Sequence, residues 1–142
     1  GALAEELGWR GYLGPLVAER VGTVGAGVVV GVVWGLWHLP FYLLGAAGVV
    51  AGFPLPSFLA LVVAWSVVLA VLVRGSGGSV LLAVLFHGSA NTTLGTLGVV
   101  DTGRPGLLVT HVAVQGLAVV VVYGWYRRHR RDGRDTTASV EA

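Results

Sequence analysis

The feature that most constrains this chain is the near absence of charge across its centre. Only three residues between 21 and 126 are charged, which leaves uncharged runs at 21–73, 75–100 and 105–126. A soluble domain needs a charged, solvated surface, and average chains are roughly a quarter charged. A soluble α/β domain and a nucleic-acid-binding domain are therefore excluded, and the chain is predicted to be an integral membrane protein.

Four segments are long and apolar enough to cross a bilayer as helices. A span needs about 20 apolar residues to cover roughly 30 Å of hydrocarbon. The candidate spans are 24–44, 57–73, 79–98 and 107–126. Polar and apolar residues do not alternate at period two, which argues against an outer-membrane barrel. We therefore predict an all-α fold, a polytopic transmembrane bundle of four spans.

A shorter helix is predicted ahead of these spans, at Ala2–Leu13. It is expected to end at Gly14-Pro15, because proline cannot continue the helical hydrogen-bond ladder. The helical pattern starts at the first residue, without Met or a signal peptide. We therefore expect residues 1–126 to be the C-terminal part of a longer membrane domain.

The arginines predict how the bundle is oriented. A basic tail at 127–142 follows the last span, and cytoplasmic segments carry an excess of basic residues. With that tail inside, Arg10, Arg20 and Arg74 also fall inside and only Arg104 falls outside. Arginine without lysine, together with abundant Ala, Gly and Val, indicates GC-rich coding. We expect a bacterial plasma membrane protein with a cytoplasmic C-terminus.

Three glycines mark a packing face on the first span. Gly27, Gly31 and Gly35 recur every four residues, so they share one side of a helix. Small residues at this spacing let a neighbouring membrane helix approach closely. This pattern predicts a tight helix–helix contact rather than a function.

The first polar cluster is found in the leading helix. Glu6 and Arg10 are four residues apart and can form an ion pair. Glu5 is rotated by about 100° from Glu6 and has no such partner in the local sequence. One carboxylate is thus neutralised and the other is left to act. The alternative is an ion-paired helix end at the membrane surface.

Two further polar clusters lie inside predicted spans. His38 follows Trp34 by one turn in the first span, and His87 and Asn91 share a face of the third. Burying such groups costs several kcal/mol unless they find partners. Hydrogen bonds between helices that serve only packing would explain each cluster taken alone.

Taken together, a carboxylate, two imidazoles and an amide from three helices are the parts of a hydrolytic site. A buried glutamate can activate water as a general base, and histidine can share the proton or orient the water. A second histidine and an asparagine can donate to an oxyanion. Alternatively, one glutamate and two histidines are a zinc set with a position open for water. The chain has no cysteine, which excludes disulfides and thiol catalysis.

The spacing of these polar residues resembles the CPBP family of intramembrane proteases. EELGWR fits the pattern EExxxR, WGLWH fits [F/W]xxxH and HGSAN fits HxxxN, in that order on successive helices. The likeness extends over residues 2–93. It points to the Abi group, which includes type II CAAX prenyl endopeptidases and bacteriocin-immunity proteins.

The resemblance implies a role for each motif residue. Glu5 would activate water with His38 beside it, and His87 with Asn91 would stabilise the oxyanion. The supporting residues would be Glu6 and Arg10. Two descriptions of the cofactor remain open: none in a glutamate-type mechanism, or zinc held by Glu5, His38 and His87.

We therefore predict an intramembrane endopeptidase that hydrolyses a peptide bond of a membrane-associated protein or peptide. The reaction would be CAAX-type processing or the processing of a leader or bacteriocin. Its partners would be that substrate and the lipid bilayer, without nucleic acid. Two alternatives stand beside this reading: an ion- or proton-coupled transporter, and a non-catalytic bacteriocin-immunity protein that works by binding.

Overall fold

The computed structural model describes residues 1–44, 54–96 and scattered positions between 106 and 128. Within these residues, 92% are helical and no strand occurs. The predicted all-α fold is therefore confirmed. The predicted loop at 45–56 lies largely outside the described residues, as do the loop at 101–106 and the tail at 127–142.

The N-terminal segment stays helical where the sequence predicts a break. Helix α1 (Ala2–Gly8) continues through one π-helical stretch (Trp9–Leu13) into α2 (Gly14–Trp37). The predicted helix end at Gly14-Pro15 is therefore wrong. The Gly14 N–H donates to the Trp9 carbonyl, and this wider π turn accommodates the following proline. A Cβ on Gly14 would lie 2.9 Å from that carbonyl oxygen, so the position requires glycine.

The actual break in α2 falls at Gly22. Its φ of 73° and ψ of 171° interrupt the helical backbone, a conformation that favours glycine. The predicted first span, 24–44, begins just after this kink. It is helical in two pieces, because a turn at His38 separates α2 from the short helix α3 (Leu39–Leu43).

The next two predicted spans match observed helices. Helix α4 (Leu55–Gly75) contains the predicted span 57–73, and α5 (Val80–Thr96) corresponds to 79–98. A tight turn joins them, and Gly77 and Gly78 adopt φ values of 72° and 96° there. Positive φ values explain why this turn is built from glycine.

Within the described residues, two helical segments are long and apolar enough to cross a membrane. They are the continuous run Ala2–Leu43, whose most apolar 18-residue window has a mean hydropathy of 1.7, and Leu55–Gly75, whose window reaches 2.5. Val80–Gly95 is apolar but shorter. The predicted fourth span, 107–126, is helical at each of its described positions, and its other residues lie outside the described part of the chain. Four spans remain a prediction.

The outer face of α2 is apolar and uncovered among the described residues. Val28, Val32 and Leu36 are each more than 40% exposed there. A soluble protein rarely leaves so continuous an apolar stripe in water, whereas lipid solvates it without cost.

The inner face of α2 packs against α4 through its glycines. A Cβ on Gly27 or Gly31 would lie 2.7 Å from the Cα of Val67 or Val63 respectively. The predicted close approach of a neighbouring helix is therefore confirmed. The core beside it is built around two indoles, Trp34 and Trp65.

Candidate active site

The two acidic residues of α1 point into different surroundings. Glu6 is fully buried, and its Oε1 accepts a hydrogen bond from Nη1 of Arg10 at 3.0 Å. Arg10 lies on the π-helical stretch and is only 4% exposed. The predicted Glu6–Arg10 ion pair is confirmed, and it is a buried pair rather than a surface one.

A third residue, His87, hydrogen-bonds to the same Oε1 of Glu6. His87 of α5 places Nδ1 2.8 Å from Oε1 of Glu6, although the two residues are 81 positions apart. An ionised carboxylate can only accept, so Nδ1–H is the donor and Nε2 is the remaining nitrogen. The 3% exposed ring is thus held in one orientation by a group on another helix.

Glu5 has a partner that is distant in sequence. Its Oε2 accepts a hydrogen bond from the indole N–H of Trp34 at 2.8 Å. Its Oε1 has no hydrogen bond within the described residues, and the α-amino group of Gly1 lies 3.8 Å away. With 17% of the side chain exposed, Glu5 keeps one oxygen accessible.

His38 is oriented by the same tryptophan. Its Nδ1 lies 2.8 Å from the backbone carbonyl of Trp34, which can only accept, so Nδ1 carries the proton. The ring meets Trp37 and Phe58 edge-on, at centroid distances of 5.0 and 5.1 Å. Its Nε2 is the nitrogen left for chemistry.

Trp34 is the residue that sequence reasoning missed. Besides its bonds to Glu5 and His38, its ring lies 4.6 Å from the Arg10 guanidinium carbon and 5.1 Å from the His87 ring. The only signal in the sequence was an aromatic residue one turn ahead of a histidine. Nothing in that signal indicated contact with residues on α1 and α5.

Asn91 stands apart from the buried cluster. It follows His87 by one turn of α5 but is exposed, and it makes no hydrogen bond among the described residues. The structure therefore gathers Glu5, Glu6, Arg10 and His87 around Trp34. It leaves the exposed Asn91 outside that group.

Two buried polar atoms of the cluster are unsatisfied within the described part of the chain. They are Oε2 of Glu6 and Nη2 of Arg10. A cleft of about 600 Å³ runs between α2 and α4, and Arg10 is among its lining residues. Buried polar groups without partners are costly and are found where a site has a task.

The cluster does not form a metal site as it stands. Within the described residues, no group of three His, Asp or Glu side chains is arranged to hold a metal ion. Glu5, His38 and His87, the proposed zinc set, do not form such a group. These residues do not fit the ion in this arrangement.

Apolar helices around a buried carboxylate–imidazole cluster are typical of an integral membrane protein with a functional polar site. Comparison with known protein families assigns the chain to a class of membrane protease. The model of the Rce1-like family, type II CAAX prenyl endopeptidases, matches residues 1–93. This chain belongs to that family, and the resemblance seen in the three motifs is confirmed. No curated protein and no solved structure matches the chain.

Proposed function

We propose that this chain carries the catalytic helices of an intramembrane endopeptidase in which Glu5 activates water. One observation carries the proposal: the two adjacent carboxylates are in different states. Glu6 is buried and shared by Arg10 and His87, whereas Glu5 keeps an oxygen free of hydrogen bonds. Neighbouring acids with contrasting environments are typical of sites that need one base and one support.

The hydrolytic step uses the free oxygen of Glu5. Glu5 takes a proton from water as the water oxygen bonds to the peptide carbonyl carbon. When the tetrahedral intermediate collapses, the C–N bond breaks and Glu5 returns the proton to the departing nitrogen. His38 acts beside it by orienting the water through Nε2.

His87 and Asn91 would stabilise the negative charge on the substrate oxygen. Because Nδ1–H of His87 is directed at Glu6, Nε2 can donate only when the ring is an imidazolium. Glu6 lies where it would offset that charge, as a carboxylate does for the histidine of a catalytic triad. Asn91 would supply a second donor from its position one turn further along α5.

Within the described residues, the lack of a three-ligand group supports the metal-free version of this mechanism. Catalytic zinc needs three protein ligands around one point. Glu5, His38 and His87 are not arranged in this way. We therefore propose a glutamate-type enzyme.

The substrate would be a membrane-associated protein or peptide. We propose a CAAX-type substrate first, and a leader or bacteriocin peptide second. The enzyme would sit in a bacterial plasma membrane with its C-terminus in the cytoplasm. The arginine bias supports this orientation, and so does Trp125, whose ring lies against Gly75 beside Arg74.

The test is cleavage of two probes by the protein in liposomes. One probe is a farnesylated peptide ending in a CAAX sequence, and the other is a membrane-anchored peptide with a leader-type cleavage site. Glu5→Gln should lower the cleavage rate by about 100-fold or more, because it removes the general base. Asn91→Ala should lower it by about 100-fold through loss of an oxyanion donor.

Ser89→Ala is the matched control for Asn91→Ala. Ser89 is exposed on the same helix, and its hydroxyl bonds only the Phe86 carbonyl within the described part of the chain. Its substitution should leave the rate unchanged. Full activity of Glu5→Gln toward whichever probe the wild type cleaves would refute the mechanism.

A further inference from the structure

Trp34 lies at the centre of the candidate site, in contact with Glu5, His38, Arg10 and His87. Its indole N–H donates to Oε2 of Glu5, and its backbone carbonyl accepts from His38. The side chain is only 2% exposed, so it is immobilised by the core. One rigid residue thus connects both members of the pair proposed to activate water.

The indole N–H fixes which oxygen of Glu5 faces the reaction. A carboxylate on a helix rotates freely unless a donor holds it, and a hydrogen bond to an ionised oxygen is roughly twice as strong as a neutral one. With Oε2 held by Trp34, Oε1 is left to receive the water proton. A base held in one orientation needs no reorganisation before the reaction.

The ring and the N–H of Trp34 have separable roles. The ring face packs on the Arg10 guanidinium and against His87, contacts that any large aromatic ring can make. Only the N–H reaches Glu5. The motif position accepts Phe or Trp, so the N–H contact is a property of this chain rather than of the motif.

We propose that Trp34 is a positioning residue whose indole N–H orients Glu5 for water activation. The proposal rests on the proposed function, because it assumes that Glu5 is the base. It assigns to Trp34 an effect on the chemical step and none on substrate binding.

The experiment compares two replacements of Trp34 in the full chain, using the probe that the wild type cleaves. Trp34→Phe keeps an aromatic ring, and 3-benzothienylalanine at position 34 keeps the indole shape while replacing N–H by sulfur. Both should lower kcat by about 10-fold or more and change KM by less than about 2-fold. In a Glu5→Gln background neither should reduce the residual rate further.

Trp9→Phe is the matched control. Trp9 lies on the π-helical stretch, and its indole N–H has no hydrogen-bond partner within the described residues. Its kcat should remain at the wild-type value. The indole N–H resonance of Trp34 should also shift in Glu5→Ala, which reports the contact without any substrate.

Different results would refute the proposed function and the positioning role of Trp34. Wild-type turnover by Glu5→Gln would refute the proposed function. An inactive Glu5→Gln combined with wild-type kcat for the benzothienylalanine variant would refute the role of Trp34 and leave the function standing. An indole resonance that does not move in Glu5→Ala would also overturn the positioning proposal.

Discussion

At the scale of single residues, the proposed mechanism gives different roles to two adjacent glutamates, Glu5 and Glu6. Local spacing predicted that Glu6 pairs with Arg10, and that pair is present. It could not predict that His87 shares the same oxygen, because nothing in the local sequence marks a contact over 81 positions. For the same reason the sequence suggested a partnerless Glu5, whereas Trp34 supplies its partner.

Glu6 is expected to stabilise the folded protein. Glu6→Gln leaves the Arg10 charge buried without its counter-ion, so we expect a loss of about 3 kcal/mol or more in the free energy of unfolding. Denaturant titration of the protein in mixed micelles measures it. Glu19→Gln, at an exposed position of α2, should change stability by less than about 0.5 kcal/mol.

A double variant tests the charge argument separately. Removing both charges with Glu6→Gln and Arg10→Met should recover much of the loss, since no unpaired ion remains. If the double variant is as unstable as the sum of the single ones, the lost stability comes from packing and the ion-pair account is contradicted.

At the scale of elements, the pattern of small residues was more informative than the pattern of helix breakers. The glycine face of the first span predicted the α2–α4 contact, because a missing Cβ has one steric consequence wherever it occurs on a helix. The helix end predicted at Gly14-Pro15 was wrong. One π turn relieved the clash of Pro15, and the chain broke instead at Gly22.

Gly31→Ala should destabilise the α2–α4 contact. The new Cβ would meet the Cα of Val63 at 2.7 Å, and backbone cannot move aside as a side chain can. Overpacking of this kind costs about 1–3 kcal/mol. A fall in melting temperature in detergent measures it.

Gly8→Ala is the helical control for that substitution. Among the described residues, nothing lies within 4 Å of a Cβ at Gly8. Its melting temperature should stay level or rise slightly, because alanine favours helix over glycine by about 1 kcal/mol. Equal losses in the two variants would contradict the packing account.

At the scale of the whole molecule, hydropathy predicted the helical class and the sites of α4 and α5, since long apolar runs admit few other structures in lipid. It could not predict how α1, α2 and α5 meet. That meeting creates the site: α1 brings the two glutamates, α2 brings Trp34 and α5 brings His87. The order of the motifs was therefore sufficient to predict the family. The different roles proposed for the polar residues could be inferred only from their contacts in three dimensions.

The most direct test of a catalytic Glu5 beside a structural Glu6 is to measure turnover and melting temperature together for Glu5→Gln and Glu6→Gln. The account predicts that Glu5→Gln loses cleavage by about 100-fold or more and melts at or above the wild type, because a residue kept for chemistry is not one that stabilises the fold. Glu6→Gln should melt well below the wild type. If Glu5→Gln keeps its activity and melts like Glu6→Gln, both glutamates are structural and the central claim is wrong.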